Sequence, residues 1–279
     1  MTGSPDPEHE RPPPVLSGAE GLSGVGRLEL LRAAYGTLGG AELVRAVAVG
    51  EFPGRAAVAS SFGAESAVLL ALVAEVEPRL PVLFLDTGML FPETLSYAET
   101  LTRHLGLRDV RWVQPEPEHI ARQDPERELW MSDPDRCCYL RKVRPFRRAL
   151  SSFTCWISGL KRAHGGARAA VETIELEEGR IKLNPLAHWS TAELEAAFID
   201  RGLPRHPLVA RGYRSIGCVP CSRVARPEEG VRAGRWDGRG KTECGIHLPL
   251  AGAERDGPPE SDPPATPERI PERPPGCSP

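Results

Sequence analysis

Short apolar runs and longer helical stretches take turns along the middle of this chain. Ala56 to Ala59, Pro81 to Leu85, Val110 to Val113 and Thr154 to Ile157 are brief, mostly hydrophobic runs of the kind found in buried strands. Ala64 to Glu77, Pro92 to Leu105 and Thr191 to Arg201 read as helices. Strands and helices in alternation predict an α/β fold, a parallel sheet wrapped by helices on both faces. Such sheets bind ligands beyond the carboxyl ends of their strands, so the loops that follow these runs are where a site is expected.

The ends break the pattern. Residues 1–26 and 251–279 are dominated by Pro, Gly and acidic residues that bury little, so both are expected to be poorly ordered, with one catalytic domain over 27–250. A chain of 279 residues is long enough for two average domains, but α/β folds often use such a length once, and no internal repeat divides it. The net charge of -3 and the lack of a long lysine run argue against a general nucleic-acid binder. No apolar stretch reaches the roughly 18 residues that a membrane span needs. Met1 to Pro14 has no apolar core of a secretory signal, so a reducing, cytoplasmic setting is expected. Seven cysteines, an odd number, imply no disulfide framework.

Three loops carry candidate chemistry. Ser60-Ser61-Phe62-Gly63-Ala64-Glu65-Ser66 opens a helix, where free N–H groups favour an anion, although an ordinary serine-capped turn has the same look. Asp86-Thr87-Gly88 either meets a ribose or base or merely caps the next helix. The segment from Ser158 and Gly159 to Arg168 is flexible and basic, and Arg162 and Arg168 either wrap an anionic substrate or lie on a solvated face.

The cysteines narrow the chemistry further. Asp133 and Pro134 form a strong helix start, so Cys137 and Cys138 fall in its opening turns, where a helix N-terminus stabilises thiolates. Neighbours on a helix point about 100° apart, which disfavours a disulfide between them but lets them straddle an inorganic core. Cys218-Val219-Pro220-Cys221 is a tight turn that commonly supplies two more ligands, and spacing alone leaves zinc and an iron–sulfur cluster both open. Cys155 reads as inert packing within a strand, and nothing around Cys277 predicts activation.

Cys244 stands apart inside Lys241-Thr242-Glu243-Cys244-Gly245-Ile246-His247, a setting suited to a reactive thiol. Arg232, Arg235 and Trp236 precede it, and Gly234, Gly238 and Gly240 make residues 232–248 a segment able to swing. Two like charges 4 Å apart repel by about 4 kcal/mol at an effective dielectric near 20, so a thiolate attacking an anion needs fixed cations. Arg141 and Lys142, within a turn of Cys138, are available for that purpose. His247 is a weaker candidate.

Taken together, these motifs resemble the phosphoadenosine phosphosulfate reductase family, and within it the assimilatory adenosine 5'-phosphosulfate (APS) reductases. The resemblance runs from roughly Ala41 to Leu248. It rests on Ser60-Ser61-Phe62-Gly63-Ala64-Glu65, Leu85-Asp86-Thr87-Gly88, Cys137-Cys138-x-x-Arg141-Lys142, Asn184-Pro185-Leu186, Cys218-x-x-Cys221, Gly234-Arg235-Trp236 and Lys241-Thr242-Glu243-Cys244-Gly245. It implies a single-domain, Rossmann-like sheet of the adenine nucleotide alpha hydrolase-like type. It also implies a [4Fe-4S] cluster on Cys137, Cys138, Cys218 and Cys221, with Cys244 as nucleophile. Thioredoxin or glutaredoxin is the implied reductant, in sulfate assimilation and cysteine biosynthesis, and a homo-oligomer is expected. Ser60, Ser61, Asp86, Thr87 and Gly88 are assigned to the nucleotide by this likeness. Arg141, Lys142, Gly159, Arg162, Arg168, Arg232, Arg235 and His247 complete the implied substrate site.

Members acting on the 3'-phosphorylated compound usually lack the cysteine pairs, so APS is the expected substrate and the 3'-phosphorylated one the alternative. The chain departs from its relatives in the basic loop, where Lys161-Arg162-Ala163-His164-Gly165-Gly166-Ala167-Arg168 replaces an Arg-Arg-x-Gln-Ser-x-Thr-Arg pattern. It departs again in a short Trp236–Cys244 spacer and a tail that continues to Pro279. Two rivals are weaker. An iron–sulfur tRNA thiolase calls for a Ser-Gly-Gly-x-Asp-Ser loop, and a zinc-stabilised redox or binding module leaves Cys244 unexplained.

Overall fold

In the computed structural model, which describes residues 14–17, 21–226 and 228–247, six strands form one sheet among the described residues. They are β1 (Ala56–Ser60), β2 (Val82–Leu85), β3 (Val110–Val113), β4 (Cys155–Ile157), β5 (Ile174–Glu177) and β6 (Arg180–Leu183), in the order β3-β2-β1-β4-β6-β5. All pairings are parallel except β5 with β6. The chain runs outward from β1 through β2 to β3 and resumes on the other side of β1 with β4. That reversal opens a crevice above the carboxyl ends of β1 and β4, the usual ligand position in an open α/β sheet.

Helix α1 spans Gly24–Tyr35, α2 Gly40–Leu43, α3 Ser66–Val76, α4 Pro92–Leu105 and α5 Pro117–Gln123, followed by α6 Leu129–Ser132, α7 Pro134–Cys138, α8 Arg144–Leu150 and α9 Thr191–Asp200. Two stretches, Val44–Glu51 and Tyr139–Val143, widen into π-helical turns. The strands are apolar on both faces because both are covered. Ala56 and Val58 pack with Val68, Leu70 and Leu72 of α3 in the larger core, while Ala57 meets Phe146 and Leu150 of α8 on the opposite side. This alternation follows from the two-residue side-chain period of a strand.

Local signals set the helix ends. Pro92 opens α4, and Gly106, at φ 64, closes it in the left-handed region. Ser190 and Glu193 form a reciprocal capping box on α9. The β5–β6 hairpin, not expected from the sequence, turns on Glu178 and Gly179, both at positive φ (50° and 76°). Such a two-residue turn is usually announced by Asn-Gly or Asp-Gly, and Glu-Gly is a weaker signal. Helix α1 begins at Gly24, inside the segment expected to be poorly ordered, with its first turn capped by the Ser23 hydroxyl. The tail at 251–279 and Cys277 lie outside the described residues. Among the described residues no helix is long and apolar enough to cross a membrane.

Candidate active site

The crevice holds a cavity built chiefly from four segments, with Leu85 and residues 214–216 completing its wall. The turn after β1 contributes Ser60, Ser61, Gly63 and Glu65, and the loop after β4 contributes Ser158, Gly159, Lys161, His164 and Arg168. Lys142 enters from the π-turn that follows α7. Arg232, Arg235, Trp236, Cys244 and His247 close it from the C-terminal side. Phe62, which is buried, holds a φ of 46 in the first turn, and its N–H bonds the Ser60 hydroxyl at 3.1 Å. A bulky residue in the left-handed region is strained, and such strain concentrates where backbone must approach a ligand.

Cys244 is 9 % exposed, and its N–H donates to Glu243 Oε1 at 2.8 Å. Glu243 in turn accepts from Arg168 Nε at 2.5 Å, from Arg168 Nη2 at 2.7 Å and from Arg232 Nη2 at 3.1 Å. Burial works against the Glu243 carboxylate, but Arg168 and Arg232 outweigh it and hold its pKa down to about 2. Burial also works against the charge of Lys142, yet Cys244, Cys218 and Cys138 around it keep its pKa above the ordinary lysine value. Trp236, itself at φ 50, gathers cations: Arg235 lies 4.3 Å from its ring, Arg232 5.6 Å and Lys241 5.7 Å.

Two glycines allow this packing. A Cβ on Gly217 would fall 2.2 Å from Nη2 of Arg235, and one on Gly245 would fall 2.8 Å from Val143. His247 stacks on Trp156 at 6.0 Å with planes 9° apart, and its Nδ1 has no hydrogen-bond partner among the described residues. Burial and the nearby Lys182 push its pKa well below the usual histidine range.

Beside this cavity lies a second, lined by Cys137, Cys138, Cys218 and Cys221 together with Thr87, Arg141, Lys142, Arg235 and Trp236. Asp133 caps α7 by accepting the Arg136 N–H at 2.9 Å, which presents the adjacent cysteines from its first turns. The Cys218–Cys221 turn closes on a 3.0 Å bond from Cys221 N to Cys218 O, and Cys218 Sγ sits 3.1 Å from the Thr87 hydroxyl. Burial pushes the thiols of Cys137 and Cys138 up to about 12 and raises that of Cys221. Such thiols stay protonated at neutral pH unless a metal takes the place of the proton. Among the described residues no three Cys, His, Asp or Glu side chains converge as ligands of one ion; the four sulfurs instead line a shared space. Lys142, Arg235 and Trp236 line both cavities.

The sequence pattern of the phosphoadenosine phosphosulfate reductase domain matches residues 55–224, which contain β1, β4 and all four paired cysteines. The chain belongs to the phosphoadenosine phosphosulfate reductase family. It is 45% identical over 218 residues to the adenosine 5'-phosphosulfate reductase of Mesorhizobium japonicum, covering 78% of this chain and 86% of that one. To the enzyme of the same name from Chelativorans sp. it is 48% identical over 221 residues, covering 78% and 90%. A phosphoadenylyl-sulfate reductase from Candida auris, solved with phosphate, superposes with a TM-score of 0.58 at 25% identity, over 70% of this chain and 95% of that one. The chain is thus an oxidoreductase of sulfate reduction, and the α/β fold expected for the family is the fold it has.

For a phosphosulfate reductase, the expected site residues divide into two groups. Ser60, Ser61, Lys142, Gly159, Arg168, Arg232, Arg235, Cys244 and His247 line one cavity, although they come from four separate stretches of sequence. Asp86, Thr87, Gly88, Arg141 and Arg162 do not line it. Asp86 caps its own loop, accepting from Gly88 N at 2.9 Å and Gln114 Nε2 at 2.7 Å. Gly88 turns the chain at φ 67 and gives its carbonyl to Arg127. Thr87 and Arg141 face the cysteine cavity instead. Arg162 points away, bonding Val171 O at 2.6 Å and Glu172 at 2.8 Å.

Glu65, Ser158, Lys161, His164 and Glu243 were not expected in the site. Lys161 is extended, with φ -141 and ψ 137, so it and Arg162 point to opposite sides, and Lys161 is the inward one. An extended pair of cations leaving a strand end was a usable signal for one inward partner, but not for which.

Arg141 has a structural task, forming an ion pair with Asp124 at 2.6 Å in which both side chains are 3 % exposed. Asp124→Asn leaves that guanidinium buried without a counter-charge. It is expected to cost about 3–5 kcal/mol of stability, read as a lowered urea midpoint; an unchanged midpoint would mean that water reaches the pair.

Proposed function

We propose that this chain reduces adenosine 5'-phosphosulfate to sulfite and AMP, with Cys244 as the nucleophile and thioredoxin as the electron donor. The observation that carries this reading is the position of Cys244 in one cavity with Lys142, Arg168, Arg232 and Arg235, beside the strand-end turn that contains Ser60 and Ser61. The Cys244 thiolate attacks the sulfate sulfur, the bond from that sulfur to the bridging phosphate oxygen breaks, and AMP leaves with the electron pair. The product is a Cys244 S-sulfonate. A thioredoxin thiolate then attacks the Cys244 sulfur and expels sulfite, and the second thioredoxin thiol resolves the mixed disulfide. The two electrons come from the thioredoxin dithiol.

The basic side chains serve the first step. Thiolate and phosphosulfate are both anionic, and Lys142, Arg232 and Arg235 offset a repulsion of about 4 kcal/mol per close charge pair. The turn after β1, at the N-terminal end of α3, suits the AMP phosphate. Cys137, Cys138, Cys218 and Cys221 would hold a [4Fe-4S] cluster, since their four thiols, two buried and two half-buried, line one space next to Lys142. When bound, that cluster would add fixed charge beside Lys142 and order its surroundings. A lone zinc ion would require the sulfurs to draw to one point.

Two measurements test this reading. Protein incubated with the substrate and no reductant is expected to gain a sulfonate-sized mass that thioredoxin removes, and the 3'-phosphorylated substrate is expected to react more slowly. No adduct on the wild-type chain would reject the mechanism. Anaerobically purified protein is expected to be brown, with iron and acid-labile sulfide that Cys138→Ser and Cys218→Ser lose; stoichiometric zinc without iron would reject the cluster.

A further inference from the structure

In the basic loop after β4, His164 joins the two sides of the crevice. Its Nε2 lies 2.9 Å from Glu65 Oε2, at the turn into α3, and its Nδ1 lies 3.1 Å from Arg168 Nη1. Glu65 also takes Lys161 Nζ at 2.8 Å. The partners dictate the tautomer. Burial raises the Glu65 pKa, but the bond from His164 and the charge of Lys161 prevail and hold it at about 2, so Glu65 can only accept. Arginine can only donate. The ring therefore carries its proton on Nε2 and offers a lone pair at Nδ1.

We propose that His164 is a positioning residue: in its neutral form it braces Arg168 against Glu65, and protonation of Nδ1 breaks that brace. The consequence reaches the thiol because Arg168 also grips Glu243, which accepts the N–H of Cys244. This role rests on the reading of Cys244 as the nucleophile. A second proton would set an N–H of His164 against an N–H of Arg168, with like charges facing across 3.1 Å.

The charged groups facing the ring are Glu65 from the turn into α3, Lys161 and Arg168 from its own loop, and beyond Arg168 the Glu243 and Arg232 of the C-terminal segment. Burial lowers the His164 pKa and Lys161 adds to this, against the favourable bond to Glu65, so the ring titrates below the ordinary histidine range. The brace is intact above that pKa and is lost as pH falls through it.

The test compares wild-type protein with His164→Gln and His164→Ala, measuring the rate of Cys244 adduct formation between pH 5 and 8. Glutamine keeps a donor and an acceptor side by side but does not titrate. At pH 8, His164→Ala is expected to lose about tenfold in kcat/KM, mainly through KM, as expected for one lost buried hydrogen-bond partner. His164→Gln is expected to stay within about threefold of wild type at pH 8 and to gain on wild type as pH falls, the loss of Cys244 thiolate being common to both and cancelling in the ratio of their rates. Ring 15N spectra of substrate-free protein are expected to give the Nε2–H tautomer for His164 at pH 7.5, with Nδ1 shifting in Arg168→Ala. The proposal is overturned if His164→Ala matches wild type, if the ratio of the His164→Gln rate to the wild-type rate does not change as pH falls, or if the ring is the Nδ1–H tautomer. Absence of any adduct on wild-type protein would reject the functional reading instead, and the ring spectra would still decide the brace.

Discussion

Cys244→Ser is expected to abolish both the sulfonate adduct and sulfite release, to below about one part in 10⁴ of the wild-type rate. A serine hydroxyl in the same place is protonated at neutral pH and a far weaker nucleophile than a thiolate. The surroundings are arranged to use a thiolate. The backbone at Cys244 bonds through its N–H to Glu243 and through its carbonyl to His247 N at 3.0 Å. Gly245 lets the segment press against Val143. The change removes one sulfur from a position that is already 9 % exposed, so the melting temperature should stay within a few degrees of wild type. Any iron held by the proposed cluster should be unaffected, because Cys244 is not one of the paired cysteines. Intact-mass measurement before and after thioredoxin reads the first step, and sulfite assay the second. Sulfite released at the wild-type rate by this variant would remove the covalent mechanism altogether.

Lys142→Ala is expected to slow adduct formation by about 10³, the factor that about 4 kcal/mol of lost charge compensation represents. Lys142 is buried between the two cavities, and no other lysine lines both among the described residues. Its ammonium stays charged despite burial, so its loss removes a cation from the path of the incoming anion. Release of sulfite from an S-sulfonate already formed should change far less, because that step brings a neutral or singly charged thiol rather than a phosphosulfate to the site. Rapid-quench mass measurement of the first step, set against thioredoxin-driven release in the second, separates the two. Equal slowing of both steps, or loss of iron with the activity, would show that Lys142 supports the fold of the cysteine cavity rather than the reaction.

The neighbouring pairs Arg141–Lys142 and Lys161–Arg162 illustrate what sequence reading reached. In each pair both residues are cations, and nothing local separates them. On the widened turn at Tyr139–Val143, Arg141 swings to Asp124 and becomes structural, whereas Lys142 faces Cys244. At the end of β4, Arg162 goes outward to Glu172 and Lys161 inward to Glu65. Asp86, which the resemblance assigns to the nucleotide, accepts the N–H of Gly88 in its own loop. Glu243 was legible only as the neighbour of the reactive thiol, yet it holds Arg168 and Arg232 together.

By itself, the chain's pattern of apolar runs determined the sheet and its main helices, because burial on both faces and the helical and strand periods act over a few residues. Cap residues such as Asp133 and Ser190 likewise act on the next turn of chain. The cysteine spacing marked one shared site and one separate thiol for the same local reason. Only the tertiary structure decided which cations line the Cys244 cavity and which turn away from it. A side chain's direction depends on backbone torsions at its own position and on partners far away in sequence, as with Arg168 on the loop after β4 and Glu243 on the C-terminal segment.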